Sequence, residues 1–157
     1  MKIAFGVDPG GWELRAGVKA HLEEKGHAVI DVGTQDMEQA VPYMYVGRNV
    51  AQEVTSGRAD FGVVMCGTGV GISMATNKNK GARCAFCDSY YIARDSRIIN
   101  NANIIALGAT TTSLRMANEM IDVFLETQWG QGLPQFRVDR IKSGAKNFEA
   151  FEDEQFK

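Results

Sequence analysis

One cysteine in this sequence is followed directly by three alternate glycines, in the run Cys66-Gly-Thr-Gly-Val-Gly71. The Val-rich apolar run 61–65 precedes it and is too short for a helix. Apolar residues then resume at helical spacing, at Val70, Ile72, Met74 and Ala75. The pattern predicts a strand, a tight loop and the start of a helix. The first N–H groups of a helix lack intrahelical partners and carry partial positive charge. We therefore predict that the loop binds a small anion and favours the thiolate of Cys66.

The loop around Cys66 has a structural and a chemical interpretation. Free cysteines are among the most buried residue types, so a cysteine at a strand end can serve packing alone. Against that, Thr68 adds a hydroxyl two residues later, and Gly67, Gly69 and Gly71 let a ligand approach the backbone closely. The combination favours a catalytic or binding role for this loop.

The chain around the loop alternates strands with helices. Hydrophobic runs and turn residues predict strands at 2–7, 28–32, 61–65, 81–87 and 104–107. Helices are predicted over 14–22, 45–54 and 89–98, the last with Asp88 or Ser89 as its N-cap. A longer helix is predicted from Thr112 or Ser113 through Leu125. Its expected buried stripe consists of Met116, Met120, Ile121, Phe124 and Leu125.

Five such βα units indicate an α/β fold. We predict one domain over residues 1–157, a three-layer sandwich with a five-stranded parallel, Rossmann-like sheet and a C-terminal helical extension. Sites in such folds lie outside the carboxyl ends of the strands. Those ends carry Asp8, Cys66, Asp88 and residues 108–110, so an acid and a thiol are predicted to converge. Neither histidine follows a strand end, which excludes a Ser-His-Asp arrangement, and no G-x-G-x-x-G follows the first strand, which disfavours a dehydrogenase.

Composition excludes several classes of function. Three cysteines are an odd number, which favours a reducing compartment over a disulfide framework. Cys84 and Cys87 have C-x-x-C spacing, but the sequence has no second Cys or His pair that could supply the other two zinc ligands, so no zinc site is expected. The net charge is −2 and charges of both signs are interspersed, so the sequence indicates no basic surface for binding nucleic acid. No apolar run is long enough to span a membrane. The sequence therefore predicts a soluble cytoplasmic protein.

Several motifs together resemble those of one known family. They are residues 1–8, 29–34, the Cys-Gly-Thr-Gly-Val-Gly-Ile-Ser block at 66–73, Asn77-Lys78 and residues 100–108. This combination is similar to the ribose-5-phosphate isomerase B and galactose-6-phosphate isomerase family, and the resemblance covers residues 1–125. The block at 66–73 is its most specific part.

The resemblance implies a mechanism. Members of this family interconvert aldose and ketose sugar phosphates through an enediolate, which requires a base and oxyanion donors but no metal or redox cofactor. Cys66 resembles the family's base, and the amides from Gly67 to Gly71 resemble its oxyanion cradle, with Gly67, Gly69, Val70 and Gly71 as substrate-binding residues. Thr68 and Asp8 match the groups that handle hydroxyl protons, and Asn100 matches a donor to a substrate oxygen.

Departures from the family pattern affect ring opening and phosphate binding. Where members that open pentose rings carry a histidine before Asn100, this chain has Ile99. Where they carry a phosphate-binding histidine after the aspartate, it has Pro9, and the arginines expected near Thr110 and Leu133 are missing. The resemblance therefore implies an isomerising centre with a reduced set of ring-opening and phosphate-binding groups.

The C-terminal segment retains part of a basic clamp. Arg137 matches a family phosphate ligand, and Arg140 lies one helical turn further on. Family members are homodimers, tetramers or heteromers whose active sites are shared between neighbours. The segment 137–157 also exposes aromatic residues at Phe148, Phe151 and Phe156. We therefore predict that it docks on a neighbouring subunit, in a homodimer or tetramer or beside a related subunit.

Three functions remain open from the sequence. The first is an active aldose–ketose isomerase for a small sugar phosphate other than ribose 5-phosphate, such as a shorter or acyclic one. The second is the base-bearing subunit of a heteromeric galactose-6-phosphate-type isomerase, since that subunit also lacks the histidine at the position of Ile99. The third is a sugar-phosphate-binding protein without turnover. Activity of the purified chain alone would distinguish among them.

Overall fold

Five parallel strands form a single sheet in the computed structural model, which describes all 157 residues. They are β1 (Lys2–Val7), β2 (Ala28–Asp31), β3 (Phe61–Cys66), β4 (Cys84–Phe86) and β5 (Ile104–Gly108). Their spatial order is β2-β1-β3-β5-β4, so the strand that leads into the glycine loop is central. The predicted α/β fold is confirmed. The fourth strand is shorter than predicted because Gly81 has a φ of +81° and the Arg83 N–H donates to the Asn103 side chain rather than to a strand.

Helices cover both faces of the sheet. They are α1 (Trp12–Glu24), α2 (Tyr43–Thr55), α3 (Val70–Thr76), α4 (Tyr90–Ile98), α5 (Leu114–Glu126) and α6 (Gln135–Gln155). Helices α1, α4 and α5 pack together on one face, and α2 and α3 pack together on the other. This is the predicted three-layer sandwich. None of the six helices combines the length and the apolar character that crossing a bilayer requires.

Alternate residues of each central strand enter different cores, as expected for a sheet that is covered on both faces. Ile3, Phe5 and Val7 belong to the larger core, under α1, α4 and α5. Ala4 and Cys66 belong to the smaller core, under α2 and α3. Because side chains alternate between the two faces along a strand, Cys66 points toward the face covered by α3, the helix that starts immediately after its loop.

One apolar residue that was predicted to be buried is exposed. Met116 was predicted within the stripe of α5 but is 45% exposed, because the stripe runs through Ala117, Met120, Ile121 and Phe124 and Met116 lies beside it. Val70 and Met74, which marked helical spacing in α3, are also exposed, and only Ile72 among the large apolar residues of that helix is buried. The two exposed side chains lie one turn apart on the outer surface of α3.

Helix α6 runs along the amino-terminal edge of the sheet and has no buried residue. The Gly81 N–H donates to Glu152 Oε1 at 2.8 Å, and Lys80 pairs with Asp153 at 2.7 Å. Between this helix and the rest of the chain lies a cleft of ≈ 860 Å³. Its apolar lining includes Ile92, Ile99, Trp129, Ile141, Phe148 and Phe151. An apolar cleft of this size, bordered by an unpacked helix, is typical of a surface that another chain covers.

A buried arginine fixes the loop between α4 and β5. The Arg97 guanidinium lies 4.7 Å from the centre of the Phe61 ring and 5.6 Å from that of Phe124. Its Nη1 donates to the Ala102 carbonyl at 2.6 Å and to Asn101 Oδ1 at 3.0 Å. Asn101 adopts a φ of +50°, which is uncommon outside glycine. The contacts hold this sharp turn, and with it the neighbouring Asn100, in one conformation.

Candidate active site

The Cys66 side chain lies at the carboxyl end of β3, folded under its own loop. Its Sγ accepts a hydrogen bond from the Gly69 N–H at 3.1 Å, and the residue is 6% exposed. An N–H directed at sulfur stabilises the thiolate, which is the form that acts as a base or nucleophile. Gly69 has a φ of +79°, and a Cβ there would lie 2.7 Å from the Phe86 ring. Glycine is therefore required for the N–H to turn back toward Cys66.

Three N–H groups of the loop have no hydrogen-bond partner within the chain, namely those of Gly67, Thr68 and Gly71. We call these three the amide cradle. The cradle is smaller than the predicted run from Gly67 to Gly71, because the Gly69 N–H is used by Cys66 and the Val70 N–H is 3.4 Å from Thr68 Oγ1. Unpaired donors beside a thiol can hold an oxygen that becomes negatively charged during a reaction.

Asp8 reaches the same loop from the end of β1. Its carboxylate accepts the Gly11 N–H at 3.1 Å and so caps the turn Pro9–Gly11. Burial raises the pKa of the Asp8 carboxyl above its ordinary value, and hydrogen bonds from the backbone of the turn partly oppose that rise. A Cβ on Gly10 would lie 2.7 Å from the Gly67 nitrogen, so the two backbones are in direct contact. A carboxyl with a raised pKa is suited to exchanging protons with a ligand.

Thr68 and β5 complete this edge of the sheet. The Thr68 side chain is exposed, and its hydroxyl is engaged only by the long contact from Val70. A Cβ on Gly108 would lie 2.5 Å from the Thr68 carbonyl, so the end of β5 presses against the loop. One edge of the sheet therefore brings together a thiol, a carboxyl, a hydroxyl and the amide cradle. No group of three or more His, Cys, Asp or Glu side chains has the geometry of a metal site.

The other predicted site residues lie at the opposite edge of the sheet. Cys66 pairs with Gly108 at one end of β5, whereas Ile104 begins that strand just after the Asn100 loop. Four residues of strand at about 3.3 Å each separate these ends by about 13 Å. Arg137 and Arg140 lie on α6, are exposed and form no ion pair. A single chain therefore does not bring Asn100, Arg137 or Arg140 to Cys66.

Some contacts of the site were not evident in the sequence. Gly10 was not predicted as a site residue, although its missing side chain is what lets the turn after Asp8 lie against the Gly67 backbone. Thr110 was not predicted as a site residue either, yet its hydroxyl donates to the Gly67 carbonyl at 2.7 Å. Both contacts join segments that are far apart in sequence. The run Pro9-Gly10-Gly11, with two glycines where one would end a strand, was the available signal for the first of them.

The three cysteines are expected to differ in reactivity. Burial raises the pKa of Cys87 to about 12 and also raises that of Cys84. Both therefore remain thiols near neutral pH, whereas Cys66 has an N–H directed at its sulfur. Iodoacetamide followed by peptide mass spectrometry should show Cys66 modified first, and inorganic phosphate should slow that modification. A Cys66→Ser variant should lose the fast phase, and equal rates for all three thiols would mean that Cys66 only serves packing.

Comparison with known proteins places this geometry among sugar isomerases. A sequence profile described as Ribose/Galactose Isomerase matches residues 3–141. The 4-deoxy-4-sulfo-D-erythrose isomerase of Clostridium sp. (strain MSTE9) is 35% identical over 153 residues, covering 98% of this chain and 96% of that protein. The ribose-5-phosphate isomerase B of Escherichia coli (strain K12) is 41% identical over 140 residues, covering 89% and 93%.

Two further proteins extend the comparison. The D-erythrulose-4-phosphate isomerase of Pectobacterium atrosepticum is 31% identical over 141 residues, covering 90% of this chain and 93% of that protein. The solved structure of Clostridium thermocellum ribose-5-phosphate isomerase B has a TM-score of 0.89 and 38% identity, and covers 99% of both chains. The similarity therefore includes α6 as well as the sheet. These relatives are named for different sugars, so overall identity does not select a substrate.

Proposed function

This chain belongs to the ribose/galactose isomerase family, and we propose that it interconverts the aldose and ketose forms of a four-carbon sugar with an anionic group at C4. One observation carries the proposal: Cys66 Sγ lies beside three unpaired N–H groups, at the strand edge that also holds Asp8 and Thr68. A base next to oxyanion donors is what proton transfer between adjacent carbons requires.

The proposed reaction moves one proton between C1 and C2. The Cys66 thiolate removes the proton from the carbon beside the carbonyl, and the electron pair moves to the carbonyl oxygen to give an enediolate. The amide cradle holds that oxygen. Thr68 and Asp8 shift a proton between the two oxygens, and the Cys66 thiol then returns its proton to the other carbon. No electron leaves the substrate, so the step balances without a redox partner.

Ile99 and Pro9 support a substrate that does not need ring opening. Neither side chain donates a proton, although a pentose phosphate is mostly cyclic and its ring oxygen must be protonated to open. A tetrose 4-phosphate cannot close a furanose ring because its O4 carries the phosphate. A 4-deoxy-4-sulfotetrose has no oxygen at C4 at all. The relatives named for erythrulose 4-phosphate and for 4-deoxy-4-sulfoerythrose are consistent with this substrate class.

A deuterium experiment tests the proposal on the purified chain. In D2O, D-erythrulose 4-phosphate, 4-deoxy-4-sulfo-D-erythrulose and ribose 5-phosphate are each incubated with the protein and followed by ¹H NMR. We expect deuterium at the carbon beside the carbonyl for at least one four-carbon substrate. Binding without exchange would instead indicate a sugar-binding protein. Exchange that appears only after a related subunit is added would indicate a heteromeric isomerase.

The proposed active site requires a second copy of the chain, which would supply Asn100, Arg137 and Arg140. All three side chains are exposed. Asn100 lies at the other end of the sheet from Cys66 in its own chain, and the two arginines lie on α6, which contacts the segment before β4. The exposed side chains of Val70 and Met74, next to the amide cradle, provide an apolar surface on which a partner can pack. The arginines of the partner would then bind the anionic group at C4.

Complementation measures whether the site is shared. Cys66→Ala and Asn100→Ala should each be nearly inactive alone, because every site in either homodimer lacks one component. After the two variants are mixed under conditions that allow subunit exchange, half of the dimers are mixed and each has one intact site, so about a quarter of wild-type activity should return. Native mass spectrometry with one of the two variants ¹⁵N-labelled establishes that mixed dimers exist. Mixed dimers without recovered activity would contradict a shared site.

A further inference from the structure

The Gly67 carbonyl, at the turn that follows Cys66, accepts two hydrogen bonds from a single residue. The Thr110 N–H donates to it at 2.9 Å and the Thr110 hydroxyl at 2.7 Å. The preceding carbonyl, of Cys66, accepts the Ala109 N–H at 3.0 Å. Two successive carbonyls of the turn are therefore held by the segment that follows β5.

These contacts set the direction of the next N–H. A trans peptide unit is planar, and its N–H points opposite to its C=O. Because the Gly67 carbonyl faces Thr110, the Thr68 N–H of the same peptide unit points away from Thr110. That N–H has no partner within the chain. Thr110 thus determines the orientation of one member of the amide cradle without occupying the space that the cradle faces.

The peptide unit between Gly67 and Thr68 needs such a constraint. Gly67 has no Cβ, and a Cβ placed there would have only one atom within reach, the Gly10 carbonyl at 4.0 Å. Sterics therefore do little to stop this peptide unit from rotating. A rotated unit would direct a carbonyl oxygen toward the developing oxyanion, where it would repel negative charge instead of stabilising it.

We propose that Thr110 is a positioning residue, whose hydroxyl keeps the Gly67–Thr68 peptide unit turned so that the Thr68 N–H serves the enediolate oxygen. This inference rests on the proposed isomerase function. Thr110 itself touches neither Cys66 nor the cradle N–H groups, and its effect passes through the Gly67 carbonyl. Its side chain is exposed, so loss of one surface hydroxyl leaves the fold intact.

Three variants isolate the hydroxyl. Thr110→Val has the same shape without the donor, Thr110→Ser restores the donor, and Thr111→Val removes the neighbouring hydroxyl, which donates to Gly108 at 3.2 Å. We expect Thr110→Val to lower kcat by about 10-fold to 100-fold with KM unchanged, which is part of the loss that removing a whole oxyanion donor causes. Thr110→Ser should recover most of kcat, and Thr111→Val should resemble the wild type.

Two inhibitors distinguish an effect of the mutation on transition-state binding from an effect on ground-state binding. 3-Phosphoglycerohydroxamate copies the two enediolate oxygens, whereas erythritol 4-phosphate has no carbonyl. Thr110→Val should weaken binding of the hydroxamate by about the same factor as kcat and leave the polyol unaffected. Equal losses for both ligands, an unchanged kcat, or a Thr110→Ser variant as poor as Thr110→Val would overturn the inference.

An amide NMR spectrum tests the positioning without substrate. In ¹⁵N-labelled protein, the Thr68 amide signal should shift or broaden in Thr110→Val and stay unchanged in Thr111→Val. A Thr68 signal that is identical in Thr110→Val and wild type would also overturn the inference. If the wild type turns over none of the sugars, the proposed function fails, and the Thr68 signal alone decides whether Thr110 positions the peptide unit.

Discussion

Replacing Cys66 with alanine is expected to lower kcat by about 10²–10⁴-fold, the usual share of a general base. The variant should fold, because Cys66 packs in the smaller core as a small side chain and alanine leaves only a small void. Steady-state kinetics on the four-carbon substrate gives kcat, and thermal unfolding followed by circular dichroism measures the stability. The expected loss is in kcat rather than in KM, because a general base stabilises the transition state and does not contribute to substrate binding.

Cys84→Ala is the matched control, since that thiol lies outside the candidate site and its pKa is raised by burial. It should retain wild-type kcat. A Cys66→Ala variant that keeps more than about a tenth of wild-type activity would be incompatible with Cys66 as the base, given the share that a general base contributes. In that case Asp8 would be the next candidate, since it lies at the same strand edge and its carboxyl has a raised pKa.

The second large effect concerns substrate choice. We expect the wild-type chain to have a higher kcat/KM for a tetrose 4-phosphate than for ribose 5-phosphate, and Ile99→His to raise only the value for ribose 5-phosphate. A general acid contributes about 10²–10⁴-fold, which sets the upper limit of the gain when the histidine protonates the ring oxygen. Ile99 is 41% exposed, so the fold tolerates a polar replacement. The comparison of kcat/KM reports transition-state discrimination directly.

Ile99→Asn is the control for Ile99→His. It introduces a polar side chain whose amide does not titrate and so cannot act as a general acid. It should leave both kcat/KM values near those of the wild type. The gain for ribose 5-phosphate in Ile99→His should also depend on pH through the ionisation of the new imidazole. A wild-type chain that prefers ribose 5-phosphate without any partner would mean that another residue opens the ring.

The sequence predicted local elements well where their signals were local. Strand β1 has the predicted bounds Lys2–Val7, because Pro9 lacks an N–H and ends the ladder. Ser89 caps α4 as one of the two predicted candidates, and its side chain accepts the Ile92 N–H at 3.3 Å. Ser113 caps α5 in the same way. In each case the decisive residue is within four positions of the feature that it determines.

Features that depend on distant contacts were harder to predict. Val70 and Met74 have helical spacing, but spacing does not tell whether a short helix turns those positions inward, and here they face outward. Asn100 was predicted in the same site as Cys66, but it precedes the start of β5, whereas Cys66 ends the parallel strand β3, so the two lie at opposite ends of the sheet within one chain. The orientation of the Gly67 peptide unit depends on Thr110, 43 positions away in the chain.

Backbone contacts at the turn after Cys66 restrict how this protein can diverge. A side chain at position 10 would lie 2.7 Å from the Gly67 nitrogen, and one at position 108 would lie 2.5 Å from Thr68. No single substitution at either glycine avoids moving another segment of backbone, so the turn resists stepwise change. Ile99 and Arg137 are exposed and not constrained in this way. Gene duplicates of this protein would therefore acquire new sugars through exposed positions long before they acquired a new reaction.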